Sequence, residues 1–219
     1  MWNSQVIVML LEGIRDTLYM TLASTLFGYI IGLPMGIVLT VTDKDGIRPN
    51  AAVYKVLDVI STLLRSIPFI ILLIVLIPFT RFVVGRSYGS TATIVPLTIA
   101  AAPYIARMVE SSLKEVDAGV IEAARSMGAS DFQIVTRVML VEARTSLIVG
   151  ATISLGTILG YSAMAGTVGG GGLGDIAIRY GYTRWQTDIM VVTVVLLVIL
   201  FQIFQTIGMK IANRLDRRK

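Results

Sequence analysis

The chain of 219 residues has no cysteine and no histidine. It therefore forms no disulfide, builds no Cys or His metal site and activates no nucleophile through an imidazole, which excludes much of enzymology before any motif is sought. Charge is scarce as well: 15% of the residues are charged, against about a quarter in soluble domains. Hydrophobic residues make up 55%, a membrane composition. The net charge of +5 is spread between apolar segments instead of being gathered on one soluble face, so it fits a cytoplasmic membrane surface and not nucleic acid. No soluble domain, low-complexity linker or internal repeat interrupts the pattern, and 1–219 reads as a single transmembrane domain.

A hydrocarbon core of about 30 Å needs roughly 20 apolar helical residues. Five spans are predicted, at about 17–42, 66–84, 87–106, 145–168 and 189–209. The second is placed between Arg65 and Arg81, which snorkel to opposite faces. Ahead of it, Val53, Val56, Leu57, Ile60 and Leu64 keep helical spacing while Lys55, Asp58, Thr62 and Arg65 line another face. That stripe reads either as an amphipathic helix leading into the span or as a helix buried against other spans. With the N-terminus outside, Arg15, Arg81, Arg86, Arg179 and Arg184 are exterior and the other fourteen basic residues are cytoplasmic, the distribution the positive-inside rule requires. Met1 to Leu11 lacks a basic leading region, so no cleaved signal peptide is expected. Five spans do not divide into equal inverted halves, and few transport pathways need so few helices; a two-fold dimer with the path on its axis is the economical solution.

Pro34, Pro68, Pro78, Pro96 and Pro103 fall in predicted spans, where each removes a backbone hydrogen bond and favours a kink. Gly28, Gly32 and Gly36 recur every four residues, a spacing that lets helices approach closely. The run Gly169 to Gly172 is expected to end the fourth helix near the outer face in a mobile or tight turn. Gly169, Gly171 and Gly174 imitate a dinucleotide fingerprint but follow a membrane helix and no strand, and Asp175 stands where a phosphate loop needs lysine, so nothing here binds ATP. Gly172-Leu173-Gly174-Asp175 also imitates the Gly-x-Gly-Asp signature of intramembrane aspartyl proteases, whose chemistry needs a second carboxylate; Asp16 and Asp58 are the nearest candidates, both at span ends. The remaining alternative classes are a secondary transporter, disfavoured by nearly chargeless deep spans, and a channel, which leaves the next feature without a purpose.

Arg107 to Arg144 is longer than a simple connection, and long loops in compact architectures are usually functional. Asp117 is placed to cap a helix in which Val120, Ala124 and Met127 share a face; Gly128 suits the left-handed residue that ends it. Ser130-Asp131-Phe132-Gln133 has capping-box form and starts a second helix with Phe132, Val135 and Met139 on one face. The result is a cytoplasmic helix-turn-helix that either lies on the membrane or docks a partner.

Glu122-Ala123-Ala124, three residues, Gly128, nine residues, then Val138-Met139-Leu140 resembles the EAA loop of binding-protein-dependent ABC importer permeases. Val141 stands where that family usually has proline. Arg65-Ser-Ile-Pro68, Ile77-Pro78-Phe-Thr80-Arg81, Ala101-Ala-Pro103-Tyr-Ile-Ala-Arg107 and Gly160-Tyr161-Ser162-Ala163-Met164 are similar to the methionine importer permeases within it. The resemblance implies an all-α membrane permease in a bacterial inner or plasma membrane. It implies five helices per subunit, a homodimer surrounded by lipid, two separate ABC ATPase subunits docked on the loops, and an extracytoplasmic substrate-binding protein. It implies no cofactor in this chain, with ATP-Mg held by the ATPase, and alternating access as the mechanism. Glu122, Ala123, Ala124, Gly128 and Leu140 are then the coupling-loop residues, and Tyr161, Ser162 and Met164 are candidates to line or gate the path.

Overall fold

The computed structural model describes residues 4–215; Met1–Asn3 of the opening segment and Arg217, Arg218 and Lys219 of the charge tally lie outside the described residues. Every regular element among the described residues is helical. Four helices are long and apolar enough to cross a membrane, Ser4–Thr42, Ser90–Lys114, Arg144–Tyr182 and Thr187–Leu215, and a bent pair, Ala51–Ser66 with Phe69–Val75, makes up to five. The first helix, α1 (Ser4–Thr42), begins well before Thr17. Glu12, Arg15 and Asp16 interrupt the apolar run, but charged residues restrict membrane burial and do not stop a helix.

The second span is where the structure departs most from the pattern. In place of one helix over 66–84 there are α2 (Ala51–Ser66), α3 (Phe69–Val75) and α4 (Ile77–Val84). Proline is the cause. The residue before a proline is pushed out of the helical region, and proline is tolerated in a first turn. Pro68 is the extended N-cap of α3, and Pro78 sits in the first turn of α4. These two therefore start helices, whereas Pro34 lies inside α1 and Pro96 and Pro103 inside α5 (Ser90–Lys114) without ending them.

By its contacts the chain forms two compact units, with the boundaries falling inside long helices. One is drawn from Met1–Phe27, Ile67–Ala101 and Leu155–Gln205. It holds two apolar clusters, Leu10, Leu159, Leu173, Ile176, Ile189 and Leu200, and Met20, Phe69, Leu73, Leu97 and Ala165. The glycine-rich segment is a tight turn here. After α9 (Arg144–Ala165) comes one 3-10 turn, Gly166–Val168. Gly169, Gly171 and Gly172 all have positive φ, at 78°, 83° and 75°, which only glycine adopts without strain. The short helix α10 (Gly172–Ile176) then seats Leu173 fully buried. Its amide donates to Thr17 Oγ1 at 2.9 Å, and that hydroxyl in turn donates to the Gly13 carbonyl at 2.8 Å. Such back-bonding lets a hydroxyl sit buried in an apolar helix with its hydrogen bonding satisfied.

The other unit is drawn from Gly28–Ser66, Ala102–Ser154 and Thr206–Lys219. Here two of the three spaced glycines do what the spacing implied. A Cβ on Gly32 would lie 2.6 Å from the Ala102 carbonyl oxygen, and one on Gly36 would lie 2.5 Å from that of Ala106; the second half of α1 thus packs backbone to backbone on α5. The end of α11 (Thr187–Leu215) approaches α9 in the same way, since a Cβ on Gly208 would lie 2.0 Å from Thr152 Oγ1. Along its other side α5 carries α2, joined by polar contacts described below.

Candidate coupling surface

The Arg107–Arg144 segment builds a capped hairpin in the second unit. Asp117 is the N-cap of α6 (Ala118–Ser126), accepting from the Gly119 amide at 2.8 Å. The helix ends in a Schellman turn: Gly128, at φ +83°, donates to the Arg125 carbonyl at 2.9 Å, and Ala129 donates to that of Ala124 at 3.1 Å. The capping box follows as the spacing required. The Ser130 amide donates to Gln133 Oε1 at 2.9 Å and the Gln133 amide to Ser130 Oγ at 3.4 Å, opening α7 (Asp131–Gln133).

Beyond α7 the helix widens into π turns over Ile134–Met139, an irregularity frequent at functional sites, and continues as α8 (Leu140–Glu142) before Arg144 opens α9. The wider turn overturns the expected face. Val135 and Met139 are buried, but Phe132 is 77% exposed, because residues three and seven apart share a face only at the α period. The first helix shows a similar split, with Ala124 buried and Val120 and Met127 exposed. Val141 occupies the usual proline position without preventing a break: Ala143 (φ −78°, ψ 0°) leaves the helix there.

Of the coupling-loop residues, Glu122, Ala123 and Gly128 are exposed, Leu140 is half-buried and Ala124 is buried. Glu122 lines a cavity of about 430 Å³ together with Asp43, Lys114, Ile121 and Arg125. Arg125 was missed as a site residue. It donates to the Ile47 carbonyl at 2.8 Å, holding the hairpin on the loop that follows α1. Asp43, in that loop, is 2.7 Å from Lys114, whose ammonium holds the Asp43 carboxyl below its usual range.

The three pathway candidates belong to the first unit and have different surroundings. Tyr161 stacks on Phe69 with centroids 4.6 Å apart. Ser162 is 1% exposed and donates to the carbonyl of Leu159 at 2.8 Å, within its own helix. Met164 is exposed. Asp175 is buried and paired with Arg179, so its charge is neutralised by a cation and not shared with a second carboxylate as an aspartyl protease requires.

Several apolar helices with a capped loop fit a membrane transport subunit, and likeness to known proteins gives the class. The chain belongs to the family of binding-protein-dependent transport system inner membrane components, whose model matches residues 28–219; it is a multi-pass inner-membrane permease and not an enzyme. Among particular relatives, the "Probable D-methionine transport system permease protein MetI" of Vibrio cholerae is 47% identical over 210 residues, covering 96% of this chain and 93% of its own. The D-methionine transport system permease protein MetI of Escherichia coli is 53% identical over 158 residues, covering 72% and 73%. A chain of the MetNI methionine ABC transporter in an inward-facing conformation superposes with a TM-score of 0.97 at 49% identity, covering 99% of this chain and 100% of that one.

Proposed function

We propose that this chain is the permease subunit of an ATP-driven methionine importer. Two copies pair about the pathway, two ABC ATPase subunits carrying ATP-Mg dock on the paired hairpins, and an extracytoplasmic binding protein delivers the substrate. The observation that carries the reading is the likeness, over nearly the full length, to a chain of the MetNI transporter. The capped hairpin supports it, since its two helices are fixed by local bonds and present Glu122, Met127 and Phe132 outward. Closure of the ATPase pair on ATP draws the hairpins together and rocks the spans between inward-open and outward-open forms. Tyr161, Ser162 and Met164 are the residues offered for lining or gating the path.

In vesicles reconstituted with the ATPase and binding protein, labelled methionine is taken up only with ATP, and excess unlabelled leucine does not suppress it. Equal competition by leucine overturns the methionine assignment, and uptake without ATP overturns the importer. The N-terminus is placed outside. In this cysteine-free chain, a single cysteine replacing Tyr88 therefore reacts with an impermeant thiol reagent in intact cells, and one replacing Ser130 reacts only after permeabilisation. The reverse pattern inverts the topology.

A further inference from the structure

Inside the second unit an unbroken series of polar contacts runs from the hairpin to α2. Arg125 of α6 holds the Ile47 carbonyl, and the same loop, folded back on α1 by Gly46, Arg48 and Asn50 amides bonded to Asp43, Val41 and Thr42 carbonyls, carries Asp43. Asp43 meets Lys114 at 2.7 Å and Lys114 meets Glu110 at 2.8 Å. Glu110, its side chain 6% exposed, also accepts from Arg107 at 2.7 Å and from the Tyr54 hydroxyl at 3.3 Å. Arg107 completes the series with an ion pair to Asp58 and longer bonds to the Asp58 carbonyl and to Thr62 Oγ1, both 3.4 Å. Tyr54, Asp58 and Thr62 are one face of α2; Arg107, Glu110 and Lys114 are one face of α5.

Three features set this apart from ordinary surface pairing. Glu110 takes three donors at once, Tyr54 from α2 and Arg107 and Lys114 from its own helix, so it is fully satisfied only while α2 and α5 keep their present places. Arg107, Glu110 and Asp58 lie just beyond the apolar cores of helices that contribute to spans, and the Glu110 and Arg107 side chains are largely withdrawn from solvent, where an ionised group needs a partner. Buried ion pairs add little net stability over apolar packing but strongly fix one arrangement, because separating the partners leaves uncompensated charge.

We propose that this network is the transmission between the hairpin and α2, with Glu110 as its hub: the residues position α2 so that a displacement of the hairpin is delivered to the broken second span. This rests on the importer reading above. The test is the number of methionine molecules imported per ATP hydrolysed by the complete transporter in vesicles, measured for Glu110→Gln and Asp58→Asn. Glu110→Gln keeps the shape and removes the charge; half-exposed Asp58 tolerates replacement if the buried site does not. The expected result is a fall of about tenfold in that ratio, with the ATPase still co-purifying and still hydrolysing ATP. An unchanged ratio in either assembled variant overturns the proposal, as does loss of ATPase binding in both, which places the network in docking instead. A wild-type transporter with no ATP-dependent uptake is a failure of the importer reading, and it is read from a different sample.

Discussion

Gly128→Val and Glu122→Lys are expected to insert and pair like the wild type, yet to lose ATPase binding and methionine uptake. Gly128 sits at φ +83° with nothing within 4 Å of the position a Cβ would take, so space is not the constraint; the backbone conformation is. A left-handed residue with a side chain costs roughly 1–2 kcal/mol, and a β-branched one more. The strain is relieved by unwinding the Schellman turn, which changes the angle between α6 and α7. Asparagine visits the left-handed region more readily, so Gly128→Asn retains most uptake, and this contrast separates backbone geometry from loss of a contact. Glu122 is exposed on α6 and free to make a charge-assisted bond to the ATPase, a class worth about 1.5–3 kcal/mol. Reversing its charge weakens docking by roughly tenfold to a hundredfold. Co-purification of the ATPase and vesicle uptake are the measurements. Normal docking with normal uptake in both variants removes the hairpin as the coupling element.

Gly174→Val has the second large expected effect, this time on folding. A Cβ on Gly174 would lie 2.1 Å from the Ala163 carbonyl oxygen, and one on Gly166 would lie 2.2 Å from the Asp175 amide nitrogen. Both obstacles are backbone, so no rotamer change relieves them, and α10 must lift from the end of α9. That exposes Leu173 and strains the pairing of buried Asp175 with exposed Arg179. Overpacking typically costs about 1–3 kcal/mol and occasionally more, here against backbone that cannot yield. The detergent-solubilised protein is expected to melt well below the wild type or to be recovered only as aggregate. Gly160→Ala, whose added methyl meets nothing within 4 Å in this chain, melts like the wild type. Equal melting temperatures for Gly174→Val and wild type contradict the packing described for the turn.

What could be read from sequence was local or periodic. The hairpin was legible because its caps are set by residues a few positions apart: Asp117 with Gly119, Gly128 with Arg125, Ser130 with Gln133. The close approach of α1 to α5 was legible at Gly32 and Gly36 only through their four-residue spacing, since single glycines are common in membrane helices. The break of the second span was half legible; its prolines were noted but read as kinks within one helix, not as the starts of α3 and α4. The π turns at Ile134–Met139 leave no signal, since the same residues suit an α-helix, and they separate Phe132 from the face it was expected to share with Val135 and Met139. The Glu110 network was invisible for another reason. Its members come from separate helices, Asp58 and Arg107 being 49 positions apart, and nothing in composition or period pairs them. Asp58, Arg107 and Glu110 all lie outside the apolar cores drawn at 66–84 and 87–106, so the network does not alter the nearly chargeless character of the deep spans.

Docking of the ATPase on the hairpin is tested most directly by a photo-crosslinking residue placed at Met127, 82% exposed on the hairpin, and separately at Phe82, 87% exposed at the end of α4. With the complete transporter in native membranes, Met127 is expected to cross-link to the ATPase subunit and Phe82 is not. Cross-linking from Phe82 with none from Met127, in a transporter that still imports methionine at the expense of ATP, contradicts the account.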